Sequence, residues 1–359
     1  MSGGRLVMPQ GIVDGAVQIV RGRIGAIRPA VPRGASTIRV GGAFVAPGFI
    51  DLHVWGEPAV VAKDAARAGT TAFLTTLGPE PLSELVRSVA ARSRAEPSGG
   101  ARCLGVHLEG PFVNPVRGGA LPKRWMRPPT IGELSRLAAA AAAAAGGRLK
   151  LVTLAPELPG AVAAVRWLVR RRIAVSLGHS DATAGPAARA VAAGASAVTH
   201  VFNAMRPFYH RSPALLDVAL GEPRLSAMVI ADGVHVSGSA LGLLARVKGP
   251  DRLVLVTDSI RRQGWDVRRR GGAYYTRHGV LAGSDLTMLQ AVRNMVRLGG
   301  VALSDAVRMA SAVPARLIGE GGRRGVLATG WAADLAVFDR AFEPRMTMVN
   351  GAIVFQRGS

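Results

Sequence analysis

Cysteine is almost absent from this chain of 359 residues. Cys103 stands alone, so no intramolecular disulfide framework can form, and the composition suits a reducing cytosol. Long apolar runs are missing too. None reaches the roughly 18 residues that cross a bilayer, and no basic-then-apolar leader opens the chain. A cytoplasmic protein without a membrane partner is the expectation. Lysine occurs only at Lys63, Lys123, Lys150 and Lys248, so arginine carries the formal charge of +22. Those arginines are scattered, with short clusters at Arg170–Arg172 and Arg268–Arg270, and aromatics are only 5% of residues. A basic stripe interleaved with stacking rings is therefore lacking, and nucleic acid is not expected as a partner. The arginine excess goes with abundant Ala and Gly, a compositional bias whose positive field would also favour anionic substrates.

What the chain has is a succession of short apolar runs. With 49% hydrophobic residues it can bury a large core. Residues 1–48 and 326–359 read as alternating strands and turns. Between them lie eight strand candidates: "FIDLHV", "TTAFLTTL", "CLGVHLEG", "LKLVTLAPE", "AVSLGHS", "AVTHVFNAM", "LSAMVIADG" and "LVLVTDSI". They are continuously apolar, as strands buried on both faces of a parallel sheet should be, and helix-compatible stretches separate most of them. The most legible helix opens on the capping box Thr130-Ile131-Gly132-Glu133, runs through alanines 138–145 and ends at Gly146-Gly147. The expected fold is α/β. It is a (β/α)8 TIM-type barrel over 49–325, with a small β-sandwich domain built from both chain ends, 1–48 and 326–359. A doubly wound sheet is the alternative, and no glycine-rich dinucleotide turn supports it.

Polar residues end these strands. His53 lies near the end of the first, Glu109 of the third, His179 of the fifth, His200 of the sixth and Asp258 of the eighth. In a barrel those ends form one rim, where side chains distant in sequence converge. A carboxylate in an apolar strand needs a partner to offset its desolvation, and a divalent cation would be one. Two imidazoles and a carboxylate drawn from this set suit zinc, with water in the fourth position. Asp258 would then accept the water proton. The stretch "GFIDLHVWGE" adds a question, because many metal hydrolases carry His-x-His here and the second place is Trp55, which cannot ligate.

These residues sit in "APGFIDLHVWG" (46–56), "HLEGPFVNP" (107–115), "SLGHSDAT" (176–183) and "THVFNAMRPFYHRSP" (199–213). They continue in "IADGVHVS" (230–237), "VLVTDS" (254–259) and "LAGSDLTM" (281–288). In this order the motifs resemble the N-acetylglucosamine-6-phosphate deacetylase family of the amidohydrolase superfamily, nearly end to end. "HLEGPF" and "THVFNAM" are the specific ones. The resemblance implies that Glu109, His179 and His200 bind one divalent ion, zinc by its donors, with Asp258 as general base and acid. It implies substrate contacts from Asn203, from the backbone N–H of Ala204, from Arg211 as phosphate ligand, and from His235 near the sugar or its phosphate. It also implies a homodimer with some contacts crossing the interface. The activity it implies is hydrolysis of N-acetylglucosamine 6-phosphate to glucosamine 6-phosphate and acetate in amino-sugar catabolism.

The sequence departs from that pattern at three places. Trp55 replaces a histidine, leaving His53 as a weak ligand or a rim residue hydrogen-bonded to Asp258. The loop after Gly56 is shortened, so that side of the pocket should be more open or differently lined. Leu121 stands where the family carries a substrate-facing histidine. Two other readings follow: an amidohydrolase for a different N-acyl sugar or cyclic amide, and a non-catalytic relative that binds polyanions.

Overall fold

The computed structural model describes residues 1–31, 34, 36–143, 147–261 and 266–358, and all structural statements refer to these. Each of the eight apolar runs forms a strand: Phe49–Gly56, Thr70–Leu77, Arg102–Glu109, Leu149–Leu154, Ala174–Leu177, Ala197–Val198, Ser226–Ile230 and Leu253–Val256. Neighbours pair in parallel in chain order, with helices covering the outside. The first, second, fourth, seventh and eighth strands are buried along their whole length. That is why the sequence shows unbroken apolar runs rather than alternation.

The sheet closes on itself through a kink. After Val256 the backbone turns at Asp258, with φ at +49°, and Ser259–Arg261 pairs in parallel with the first strand, Ser259 opposite Val54. Asp258 N–H donates to the His53 carbonyl at 2.8 Å. Below that bond the buried Asp51 carboxylate clasps the seam. It accepts from the Thr257 N–H at 3.2 Å, the Thr257 hydroxyl at 2.5 Å and the His53 N–H at 3.1 Å. Closure places the end of the last strand beside the end of the first.

The chain ends build a second sheet of seven strands. Gly4–Met8, Gly11–Val20, Arg23–Arg28 and Phe44–Pro47 come from the N-terminal side, and Leu335–Phe338, Pro344–Val349 and Ala352–Gln356 from the C-terminal side. Leu6, Val17, Ile24, Val45, Leu335, Val337 and Met348 give this sheet a core of its own. The lysine at the start of the fourth barrel strand helps tie the far end of the chain to the barrel: Lys150 Nζ is 2.8 Å from Glu320 Oε1, and both side chains are nearly buried.

Two local expectations need amendment. The helix Ile131–Ala142 does start on Thr130, whose hydroxyl accepts from the Glu133 N–H. Glu133 turns to Arg127 at 2.8 Å instead of back to Thr130, so the cap is one-sided. The expected stop involves Ala144, Ala145 and Gly146, which lie outside the described residues. The second amendment is an antiparallel excursion after the kink, Val267–Arg270 with Ala273–Thr276 and then Leu281–Ser284. Sequence reading did not separate it from the barrel, because its strands are short and partly exposed.

Candidate metal centre

The rim gathers the five expected residues. Three of them, His179, His200 and Asp258, have positive φ of +46°, +29° and +49°, as do the nearby Phe202 and Ala204. Non-glycine residues held there cost on the order of 1–3 kcal/mol each, and such strain clusters where side-chain aim matters more than local stability. The strain follows from topology. Each strand must stop hydrogen-bonding and turn its last side chain over the barrel mouth.

Glu109 is the hub. Its Oε1 lies 3.0 Å from His179 Nε2 and 2.9 Å from His200 Nε2, and its Oε2 lies 3.1 Å from His53 Nε2. The two Nε2 atoms of His179 and His200 are 3.1 Å apart. His179 Nδ1 is 2.9 Å from the Arg117 carbonyl, a contact in which only an Nδ1–H can donate. That tautomer leaves Nε2 as a bare lone pair aimed at His200 and Glu109. Two imidazole nitrogens and a carboxylate oxygen at hydrogen-bond range are what a cation would hold together, and the outward Nδ1–H bond is the support a ligand histidine needs. The residues therefore fit a divalent ion at Glu109, His179 and His200.

A second trio, His53, Glu109 and Asp258, also brings ligand atoms within 4.8 Å of one another, with Glu109 common to both. Its electrostatics differ. Burial alone would push His53 down, but the Glu109 and Asp258 carboxylates outweigh it and raise the imidazole to about 9. In this arrangement His53 Nε2 faces the Glu109 and Asp258 carboxylates at 3.1 and 3.4 Å. His200 is shifted the other way, its burial favouring the neutral ring that ligation requires. Burial also opposes the charge on Glu109, yet the surrounding histidines hold its carboxyl well below the usual range.

Asp258 Oδ1 accepts from the Trp55 indole N–H at 2.9 Å and lies 3.4 Å from His53 Nε2. The expected neighbourhood of His53 and Asp258 is present, and the indole contact was not foreseen. His107 was also missed. It is buried two residues before Glu109, so strand alternation puts it on the same inward face, and its ring stands edge-on to His53 at 4.7 Å. His107 Nε2 meets the Thr153 hydroxyl at 2.8 Å, and burial keeps this imidazole neutral.

Above the cluster opens a cavity of about 850 Å³. Its lining includes Glu109, His179, His200 and Asp258, together with Asn203, Ala204, His235 and Leu121. His235 is fixed by Asp232, 2.6 Å from its Nδ1. Where the loop after Gly56 is short, Arg92 ion-paired to Glu57 helps form the wall, and the antiparallel excursion adds Val267, Thr276 and Leu281. Neither Arg211 nor the fully buried His53 lines this cavity; Arg211 lies away at the surface. It is exposed, with its guanidinium on the Tyr209 hydroxyl, beside the exposed Phe208.

Comparison with known proteins identifies the family of the chain. The amidohydrolase family pattern matches residues 44–354. The N-acetylglucosamine-6-phosphate deacetylase of Bacillus subtilis is 34% identical, covering 96% of this chain and 93% of its own. The N-acetylgalactosamine-6-phosphate deacetylase of Escherichia coli O157:H7 is also 34% identical, covering 97% of both chains. A solved variant of the N-acetyl-D-glucosamine-6-phosphate deacetylase of Mycobacterium smegmatis, in complex with N-acetyl-D-glucosamine-6-phosphate, superposes with a TM-score of 0.87 at 32% identity over 98% of both chains.

Proposed function

Because this chain belongs to the amidohydrolase family, we propose that its rim hydrolyses the acetamide of a phosphorylated amino sugar, converting N-acetylglucosamine 6-phosphate to glucosamine 6-phosphate and acetate. The observation that carries this reading is the cluster of Glu109, His179 and His200 beside Asp258 on the floor of a cavity of about 850 Å³. A cavity of that size accommodates a sugar phosphate.

Glu109, His179 and His200 would hold one divalent ion, zinc by the preference of two imidazoles and a carboxylate, which supplies Lewis acidity for the acyl carbonyl and for water. Asp258 takes the proton from the attacking water and delivers it to the departing amine. Asn203 and the backbone of Ala204 line the cavity where the substrate lies, and His235, its Nδ1 held by Asp232, turns its other nitrogen to the sugar or phosphate. Arg211, exposed and away from its own cavity, serves the cavity of a second subunit in a homodimer. There its planar fork would meet phosphate oxygens bidentately. The protein acts in the cytoplasm. Residues 1–48 and 326–359 form a small β-sandwich domain beside the barrel of 49–325, a division supported by their separate apolar core.

Specificity has a second reading. Leu121 offers no hydrogen-bond donor to the substrate, and the shortened loop after Gly56 changes one wall, so another N-acyl sugar remains a competitor. A polyanion-binding role without catalysis fares worse, since drift would not spare Glu109, His179, His200 and Asp258 together. Metal analysis with acetate-release assays on N-acetylglucosamine 6-phosphate, its galacto epimer and the unphosphorylated sugars separates these readings. Turnover confined to the phosphorylated sugars is expected. Absence of acetate release from all of them would end the proposal.

A further inference from the structure

Trp55 occupies the place of a second rim histidine, and its surroundings show what it does there. Its Nε1 lies 2.9 Å from Asp258 Oδ1, with the indole only 6% exposed. The far edge of the ring rests on Gly78. A Cβ built at that glycine would sit 3.1 Å from Trp55 Cη2 and 3.6 Å from Leu121 Cδ2. The indole thus rests against the end of the second strand, where Leu121 also approaches, with its one polar atom on the carboxylate. Asp258 Oδ2, by contrast, accepts no hydrogen bond from the described residues, while Asp258 lines the cavity.

An indole N–H can only donate. A carboxyl carrying its proton on Oδ1 would lose this bond, whereas one carrying it on Oδ2 keeps it. A histidine at this place could donate, accept or ligate, and would leave the choice of oxygen open. We propose that Trp55 is the positioning residue of the proton shuttle: its N–H pins Asp258 Oδ1, so that Oδ2 alone receives the water proton and passes it to the leaving amine. The inference rests on the deacetylase reading above. No proton is gained or lost at Trp55 itself. The bond to Oδ1 persists through both transfers, so the carboxylate need not rotate between them.

The test removes the N–H and leaves the ring. Site-specific replacement of Trp55 by 3-benzothienylalanine puts sulfur in the place of nitrogen at nearly constant shape. The expected result is a fall in kcat of about tenfold to a hundredfold, the size associated with losing a hydrogen bond to a charged group. KM should stay within about twofold, as befits an interaction that does not touch substrate. Metal content and Tm should be unchanged. 5-Fluorotryptophan, which keeps the N–H, should restore kcat. Unchanged kcat in the sulfur analogue would overturn the proposal, and so would a joint loss of Tm and KM, the mark of a ring that merely fills space. A second measurement is independent of activity. In metal-free, 15N-labelled protein, the Trp55 indole resonance, assigned by its loss in Trp55→Phe, should shift and exchange faster with solvent in Asp258→Ala. A resonance indifferent to Asp258→Ala would refute the contact. A wild-type protein that releases no acetate would overturn the deacetylase reading, while the resonance would still decide whether Trp55 holds Asp258.

Discussion

His179 Nε2 and His200 Nε2 face each other at 3.1 Å, and Glu109 Oε1 lies within 3.0 Å of both. An ion held by these three groups alone would have no protein ligand to spare. Glu109→Gln, His179→Ala and His200→Ala should each be isolated with little bound metal. Elemental analysis after dialysis checks this. A full equivalent retained by His200→Ala would move the metal elsewhere.

Asp258→Asn should keep the metal and lose about 10²–10⁴ in kcat, since an amide cannot shuttle a proton. Steady-state acetate release, with metal content measured on the same sample, is the assay. Turnover like that of the wild type would remove Asp258 from the mechanism.

The unmodified protein should hold one tightly bound ion per chain. The second trio contains His53, whose Nε2 is already in contact with the Glu109 and Asp258 carboxylates, and an Asp258 oxygen already engaged by Trp55. Trp55→His supplies the missing imidazole and should admit a second ion bridged by Glu109. Two equivalents in the exhaustively dialysed wild type would contradict this count.

Arg211→Ala should raise KM for a phosphorylated sugar by roughly tenfold to a hundredfold, the effect of losing a charge-assisted pair, and spare the unphosphorylated analogue. Because Arg211 does not line its own cavity, co-expressed Arg211→Ala and Asp258→Asn chains should recover activity. Their hybrid dimers contain one site with both native residues. Lack of recovery would show that Arg211 acts within its own chain or not at all.

The buried pair of Lys150 and Glu320 should set part of the acid stability. Burial works against the Glu320 charge, but the Lys150 ammonium prevails and holds the carboxyl below its ordinary value. A depressed carboxyl stabilises the fold above its unfolded value, and that contribution disappears as pH falls through the folded one. Lys150→Met should therefore lower stability by about 3–5 kcal/mol near neutrality, less to the extent that Arg324 compensates. The Tm values of variant and wild type should converge in acid. A Tm gap that persists unchanged below pH 3 would assign the loss to packing.

The barrel was legible because burial on both faces writes eight uninterrupted apolar runs into the sequence, each closed by a polar residue where the chain emerges. Glu109, His179, His200 and Asp258 stood out for the same reason: a titratable group ending an apolar strand has few uneventful explanations. What escaped notice depends on distance in sequence. The Trp55–Asp258 bond joins residues 203 apart, and nothing local to "HVWG" announces an acceptor for the indole. The wall contributed by Val267–Leu281 belongs to strands too short and polar to register as a unit. His107, two places before Glu109, shares its face by strand alternation, but it lies inside an apolar run rather than at its end, where a histidine is most often a satisfied core group. Arg211 could be recognised by motif, whereas its remoteness from the cavity appears only in three dimensions.

The clasp between Asp51 and Thr257 spans 206 positions. Every earlier strand can pair with its predecessor as the chain grows, but the seam needs the beginning of the barrel to wait for its end, a closure whose entropic cost is met in one late step. The turn that completes it is also the turn that aims Asp258. The rim and the seam are thus completed by one turn: Asp258 stands beside His53 only where the last strand meets the first. Asp51→Ala should loosen both together, so that amide protons of the seam and of the rim exchange at a common rate.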